Sequence, residues 1–487
     1  MQKINLFFAL ICCFTLFVAC QETTNTDEPT AAEIVNAAEE EEEIDEKQRY
    51  ADNVYKENCT NCHLPQMSAF AERDWKHGKS WNEVHKSIKY AHQFMEGAGF
   101  VGQLPDSAYT KLADYVLVSI ESNRMEEMGV EPDYEGIIET EKLTFTLDTI
   151  AKGIEVPWGM AQLPNGDFLI TDRTGKFYRQ SEGKDKVLIE GTPAVRAVGQ
   201  GGLLDVAVHP DFDNNQTIYL SYSKPKGDKE ATTALLMAQL VDDKLVNQKE
   251  ILEALPYSTR PYHYGSRIVF DNGGHLFVTV GDRNHRDDNP QDLSRSPGKI
   301  HRLNLDGSIP EDNPFVGQAD AIASIWSYGH RNPQGLVYDS EKDIMWETEH
   351  APRGGDEINI VQKGLNYGWP VISYGINYNG TVFTNETAKD GMEQPVFYYL
   401  PSTGTCGLTL VTGDKYPAWK GNLLAGSLRF RYLSRLEIAD NKVVGEERLL
   451  ENIGRLRSVI MGNDGYIYIG VEAPGYVFRL KPKETNI

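Results

Sequence analysis

From Leu143 onward the apolar residues fall in short runs of period two, broken by Gly, Asn, Asp and Pro, the pattern of β-strands that bury one face. Within that stretch a turn signal followed by a buried strand recurs. It occurs at Asn165-Gly166-Asp167-Phe168-Leu169-Ile170, at Asn215-Gln216-Thr217-Ile218-Tyr219-Leu220 and at Asn272-Gly273-Gly274-His275-Leu276-Phe277-Val278. It returns at Asp343-Ile344-Met345-Trp346, at Gly421-Asn422-Leu423-Leu424 and at Asp464-Gly465-Tyr466-Ile467-Tyr468-Ile469. Six copies, spaced roughly 40 to 80 residues apart, predict an all-β six-bladed propeller over 143–483 with inserted loops. A pair of β-sandwiches would use similar strands, but the copies persist along the whole stretch.

Upstream the period changes. Tyr50, Val54 and Tyr55 share a helical face, and a second helix follows Pro105, with Asp106 as N-cap and Tyr109, Leu112, Ala113, Val116 and Ile120 on one stripe. Residues 47–128 are therefore expected to form a small all-α domain, joined by a linker, 129–142, to the propeller. Inside it lies Cys59-Thr60-Asn61-Cys62-His63, the C-x-x-C-H attachment signature of a covalently held haem. Two thiols one helical turn apart add to the haem vinyl groups, and the adjacent His63 imidazole reaches the iron. A Cys59–Cys62 disulfide or half of a zinc site is the alternative, but no second pair follows with zinc spacing. The segment resembles a small class I cytochrome c. Met95, between the haem motif and the last helix, is the expected sixth ligand, with His92, His85 and His77 as rivals. Glu96 follows it where that family usually places Pro.

Lys3 precedes an apolar run from Ile4 to Ala19, too short to span a bilayer comfortably and ending in small residues, which reads as a secretory signal over 1–19. Phe17-Val18-Ala19-Cys20 resembles the lipobox of bacterial lipoproteins and implies cleavage before Cys20 and lipidation of its thiol. A plain secreted protein or an uncleaved anchor is the alternative. The formal charge of −23 is concentrated in 20–46, where Glu39 to Glu43 form an unbroken run. Such a segment is a solvated tether, and so acidic a chain is a poor nucleic-acid binder. The expected location is the periplasmic side of a bacterial envelope membrane, lipid-anchored, with inner or outer membrane left open.

Each propeller repeat is preceded by another short strand, and at or just before its start stands a conspicuous residue. These are Trp158, Gln200, His263, Arg331 with Asn332, Thr405-Cys406, and Arg455 with Arg457. In a radial fold such positions converge on one mouth of the central channel. Taken singly, His263 could be a satisfied core histidine and any Arg a solvated rim charge. A ring of Arg331, Arg429, Arg455 and Arg457 around a histidine costs desolvation and repulsion unless a polyanion neutralises it. Nearby, Glu349-His350-Ala351-Pro352-Arg353-Gly354-Gly355-Asp356-Glu357 offers oxygens for a hard cation such as Ca²⁺.

With those residues in view, 143–480 resembles the PQQ-dependent aldose sugar dehydrogenases, relatives of soluble quinoprotein glucose dehydrogenase. The segments that carry the likeness are Gly199-Gln200-Gly201-Gly202-Leu203-Leu204, His209-Pro210-Asp211-Phe212, Gly329-His330-Arg331-Asn332-Pro333-Gln334-Gly335-Leu336, Asp356-Glu357-Ile358-Asn359 and Asn366-Tyr367-Gly368-Trp369-Pro370. The resemblance implies that His263 is the general base, with Gln200 beside the sugar. It implies that Arg331, Asn332, Arg455 and Arg457 hold PQQ, with Arg429 standing where the glucose enzyme has a Lys. It places a Ca²⁺ on the carbonyls of Ala351 and Pro352 and a second near Asp356, Glu357 and Tyr367. Tyr262 stands where the glucose enzyme has an Asp beside the catalytic His, which is expected to remove a carboxylate that would support the imidazolium.

The activity implied is oxidation of an aldose at C1 to the lactone. Hydride passes to PQQ, and electrons then leave one at a time through the chain's own haem c to a downstream carrier. The rival is a haem lipoprotein whose propeller is a non-catalytic carbohydrate- or protein-binding module, because a fold does not decide a function. Cys406, without a partner in the sequence, is expected to be a buried thiol.

Overall fold

The computed structural model describes residues 136–378, 381–472 and 474–483. Cys20, Cys59, Cys62, His63 and Met95, and with them the expected signal, tether and haem domain, lie outside the described residues. Among the described residues there are six antiparallel sheets and almost no helix, a four-residue turn at Phe212–Asn215 and a 3₁₀ turn at Pro417–Trp419 being the exceptions. No described helix is long and apolar enough to cross a membrane.

The sheets stand as blades around an axis. The inner strands are Pro157–Gln162, Leu203–Val208, Ile268–Phe270, Pro333–Asp339, Thr405–Leu410 and Arg455–Met461, and each touches its neighbours around the ring. The six repeated turn-and-strand signals are the second strands, Phe168–Asp172, Thr217–Lys226, His275–Val280, Ile344–Glu349, Leu423–Ser427 and Ile467–Glu472. They read clearly in the sequence because a second strand is covered on both faces and flanked by a tight hairpin.

The ring closes by mixing the two ends of the described chain. Thr144–Lys152 pairs with Tyr476–Pro482, and Ile138–Glu139, within the stretch read as linker, adds an outer strand to the same blade. The apolar core lies between blades. Tyr219 and Leu235 of the second pack on Ile268, Leu276 and Leu303 of the third. Trp346 and Ile358 of the fourth pack on Leu408, Leu410 and Leu423 of the fifth.

Two features aim residues at the axis. Five inner strands shift register near their first residues, between Pro157 and Gly159, Leu203 and Val206, Pro333 and Gly335, Cys406 and Leu408, and Leu456 and Ser458. Bulges of this kind re-aim side chains and end pairing, and they fall where the conspicuous residues sit. Blades also approach closely there: a Cβ on Gly159 would lie 2.6 Å from Asp205 Oδ1.

The second feature is Arg267, which enters the axis from the third blade. Its guanidinium donates to Trp158 O (3.1 Å) and Asp205 Oδ1 (3.1 Å), to Gln334 O (2.8 Å), to Cys406 Sγ (3.9 Å) and to Arg457 O (2.9 Å). It lies 4.1 Å over the Trp158 ring. One side chain thus meets the inner strand of each of the other five blades.

Candidate active site

His263 sits in the loop that leads into the third blade's inner strand, with φ 55°, in the left-handed region that favours glycine. Its backbone N–H donates to Gln200 Oε1 (2.8 Å), and Gln200 N–H donates to Pro261 O (2.9 Å), so Gln200 fastens the loop from the second blade. Gly265 N–H donates to Asn332 Oδ1 (3.1 Å) from the fourth.

The imidazole Nδ1 meets Asp282 Oδ1 at 2.6 Å. Asp282 stands two residues past the second strand of the third blade and also accepts from Asn284 N (2.7 Å) and Trp369 Nε1 (2.8 Å). The expectation that Tyr262 leaves His263 without a carboxylate is therefore corrected: Asp282 supplies it, 19 positions downstream of the imidazole it orients. A visible cue exists in Val280-Gly281-Asp282, where an apolar strand ends in an acid at the mouth. Tyr262 itself is 46% exposed, its ring tilted beside the imidazole.

Burial, then the Arg331 charge, holds the His263 imidazole below its ordinary value, outweighing Asp282. Burial would raise Asp282, but His263, Arg331 and the Trp369 indole outweigh it and keep the carboxyl low. The pair is a neutral imidazole on an ionised carboxylate. Nδ1–H is fixed as donor, and Nε2, without a protein partner, carries the basic lone pair.

The arginines are less uniform than expected. Arg331 is buried, lies 5.3 Å over the Trp369 ring and donates from Nη1 to His350 O (2.9 Å) and Ala351 O (2.9 Å). Arg457 is buried and donates to Glu472 (2.6 Å) and Gln334 Oε1 (2.8 Å). The Arg455 side chain is 47% exposed and bonds the same Glu472 at 2.9 Å. Arg429 is half-buried, 5.3 Å from the Phe430 ring. The picture of four cations awaiting one polyanion is corrected accordingly: Glu472, not singled out in the sequence, already pairs two of them.

Arg260, Arg286, Arg331, Pro352, Trp369 and Tyr378 line a cavity of about 280 Å³ together with Asp287 and Asp288, and of the residues expected to hold the cofactor only Arg331 is in its lining. Beside it, His350 keeps a buried Nε2 without a partner in the field of Arg457, Arg331 and His263. Guanidinium groups, an indole face and an unanswered ring nitrogen fit a planar, multiply anionic aromatic ligand such as PQQ.

The expected cation positions are partly occupied by the chain itself. Ala351 O accepts from Arg331, and Pro352 O accepts from Ser402 Oγ (3.3 Å), each carbonyl keeping a second lone pair. Asp356 is engaged by the backbone. Its oxygens accept the N–H groups of Ala351 (2.9 Å), Gly404 (2.6 Å) and Thr405 (3.1 Å), so it shapes the carbonyl-bearing loop. The Tyr367 hydroxyl is likewise taken, between Ile360 O (2.5 Å) and Gln362 N (2.9 Å).

What gathers is a buried set that takes Glu357 from the expected second site and Glu349 from the expected oxygen-bearing loop, and adds His330 and Glu347, which the sequence did not single out as ligands. His330, Glu347 and Glu349 present ligand atoms within 4.8 Å of one another, and Glu357 joins them through Asn359. Burial and then the Glu349 charge push Glu347 and Glu357 well above the carboxylate range. Glu347 Oε1 and Asn359 Oδ1 are buried without partners. An oxygen-rich set with orphaned acceptors fits Ca²⁺. The alternation Glu347-x-Glu349 facing Glu357-x-Asn359 on paired strands was its one signal. Cys406 is the free cysteine among the described residues and is buried, as expected.

Residues 154–479 match the family described as Glucose / Sorbosone dehydrogenase. The chain is 40% identical over 350 residues to the aldose sugar dehydrogenase YliI of Escherichia coli (strain K12), covering 70% of this chain and 94% of that protein. It is 32% identical over 274 residues to quinoprotein glucose dehydrogenase B of Acinetobacter calcoaceticus, covering 50% of this chain and 56% of that one. The crystal structure of the soluble aldose sugar dehydrogenase from Escherichia coli in the apo-form superposes with a TM-score of 0.67 at 38% identity, over 70% of this chain and 100% of that one. By sequence and by fold, this chain belongs to the glucose/sorbosone dehydrogenase family.

Proposed function

We propose that the propeller is a PQQ-dependent aldose dehydrogenase that oxidises the sugar at C1 and passes the electrons to the chain's own haem c. The observation that carries this is the His263–Asp282 pair, a neutral imidazole with a fixed tautomer beside an arginine- and tryptophan-lined cavity. The aldose and quinoprotein names of the relatives support it.

Nε2 of His263 accepts the proton of the anomeric hydroxyl, and Asp282 stabilises the imidazolium that forms. PQQ, when bound, would supply the two-electron acceptor for the hydride leaving C1. Arg331, Asn332, Arg429, Arg455 and Arg457 would hold it, the first positioned by Trp369. The Ala351 and Pro352 carbonyls would hold one Ca²⁺ and the Glu347, Glu349 and Glu357 cluster a second. Positive charge fixed before the reaction stabilises negative charge that develops during it. Cys59 and Cys62 would hold the haem, with His63 and Met95 at its iron, and it would supply the one-electron acceptor. Lipid on Cys20 anchors the molecule at the periplasmic face, where a downstream carrier removes the electrons.

Reconstitution tests the proposal. Aldoses should reduce the haem only when PQQ and Ca²⁺ are both supplied, and His263→Ala should abolish that reduction. Aldose oxidation at the wild-type rate in the mutant would remove His263 from the role.

A further inference from the structure

Beneath the loop of His263 lies a second arginine that the proposed chemistry leaves unused. Arg283 is 0% exposed and pairs with no carboxylate among the described residues. Its Nη2 donates to Arg260 O (2.9 Å) and Ala231 O (3.3 Å), and its Nη1 to Tyr262 O and, at 3.5 Å, to His263 O. Its backbone N–H also donates to His263 O (3.2 Å), and its guanidinium lies 3.4 Å over the Tyr264 ring. A buried guanidinium answered by carbonyls and one ring face, with its Nε left without a partner, is expensive to keep. Three of the four carbonyls belong to 260–263, the turn that throws His263 into the left-handed region. The next residue back is Asp282, the carboxylate on the imidazole.

We infer that Arg283 is a positioning residue for the base. Its planar fork clamps the carbonyls of Arg260, Tyr262 and His263, and its charge stands fixed behind the imidazole. One dipeptide, Asp282-Arg283, then sets the ring from the front and the backbone from behind. The inference rests on the reading of His263 as the base.

The groups facing His263 come from every packed element. Asp282 and Arg283 come from the loop after the third blade's second strand, Arg331 and His350 from the fourth blade, and Tyr262 from its own loop. Of these, Arg283 and Arg331 favour the neutral ring and Asp282 the charged one. Removing the Arg283 charge therefore raises the pH at which the ring titrates. Lysine keeps that charge but cannot span three carbonyls with a planar fork.

The test uses the full chain with Arg283→Gln and Arg283→Lys. Hydrogen–deuterium exchange at the histidine C2 position, read by mass spectrometry on the His263 peptide, follows its titration without turnover. Steady-state rates with an aldose after PQQ and Ca²⁺ loading give kcat and KM. For Arg283→Gln the His263 midpoint should rise and kcat should fall roughly 10²-fold, with KM within threefold of wild type, an order-of-magnitude bound. For Arg283→Lys the midpoint should stay put while kcat falls about tenfold. An unmoved midpoint in Arg283→Gln, or a wild-type kcat in Arg283→Lys, overturns the inference, and the lysine variant decides alone if the glutamine one does not fold. Should the loaded wild type oxidise no aldose, the proposed activity fails, while the exchange titration still reports whether Arg283 acts on His263.

Discussion

At the scale of single residues, the site turns on how one imidazole is kept neutral and aimed. Asp282 fixes Nδ1–H, and two arginines and burial oppose the proton that Asp282 would otherwise attract. The sign of the pH response follows. The folded imidazole sits below its ordinary 6.5, so the base form is retained below that pH and is lost only as pH falls through the lowered value. The acid limb of kcat/KM is expected below pH 6.5, and a limb above it in a pH–rate profile would contradict the assignment. Asp282→Asn removes the group that selects the tautomer. It should lower kcat by about 10²- to 10⁴-fold, as in other Asp–His pairs, with a smaller change in KM. Near-wild-type turnover of that variant in a dye-linked assay would show that the contact is only structural.

Among elements, the fourth blade carries the most concentrated charge. Strands Ile344–Glu349 and Asp356–Val361 pair so that Glu349 faces Glu357 and Glu347 faces Asn359, all on one side of the sheet. Like charges directly opposite destabilise a sheet, and a divalent cation removes the repulsion. Chelation of the PQQ-free protein should lower its melting temperature, and excess Ca²⁺ should restore it, worth about 2.7 kcal/mol at a hundredfold excess over Kd. Calorimetry on Glu347→Gln should show that dependence blunted; an undiminished Ca²⁺ effect would move the cation elsewhere. This cluster also shows why part of the site stayed hidden in the sequence. The second strands announced themselves through tight turns and unbroken apolar runs, and the starts of the inner strands through isolated Arg and His at a shared register. Asp282, Glu472 and Glu347 act across loops or between strands. Their partners are set by bulges and by strand pairing, which local periodicity does not encode.

The described residues form a ring whose blades meet at one guanidinium. Arg267 ties five inner strands to the third, so Arg267→Met leaves Asp205 buried without its cation and takes one donor from each of Trp158 O, Gln334 O, Cys406 Sγ and Arg457 O. Loss of such a partner is worth about 3–5 kcal/mol, to be read from urea unfolding of the wild type and variant. A loss under ~1 kcal/mol, the scale of an ordinary surface change, would mean the interblade clusters hold the ring unaided. The remaining question is how electrons leave a mouth lined by arginines. If the haem segment 47–128 serves the propeller of its own chain, the connecting residues hold it at an effective concentration of order millimolar. Haem reduction by an aldose should then follow first-order kinetics with a rate constant independent of protein concentration. Replacing Cys59 and Cys62 by Ser should erase the haem spectrum while aldose-driven reduction of a small dye persists. A rate that grows with protein concentration in stopped-flow traces would show instead that the haem of one molecule serves the propeller of another, so that the linker 129–142 does not couple the two centres.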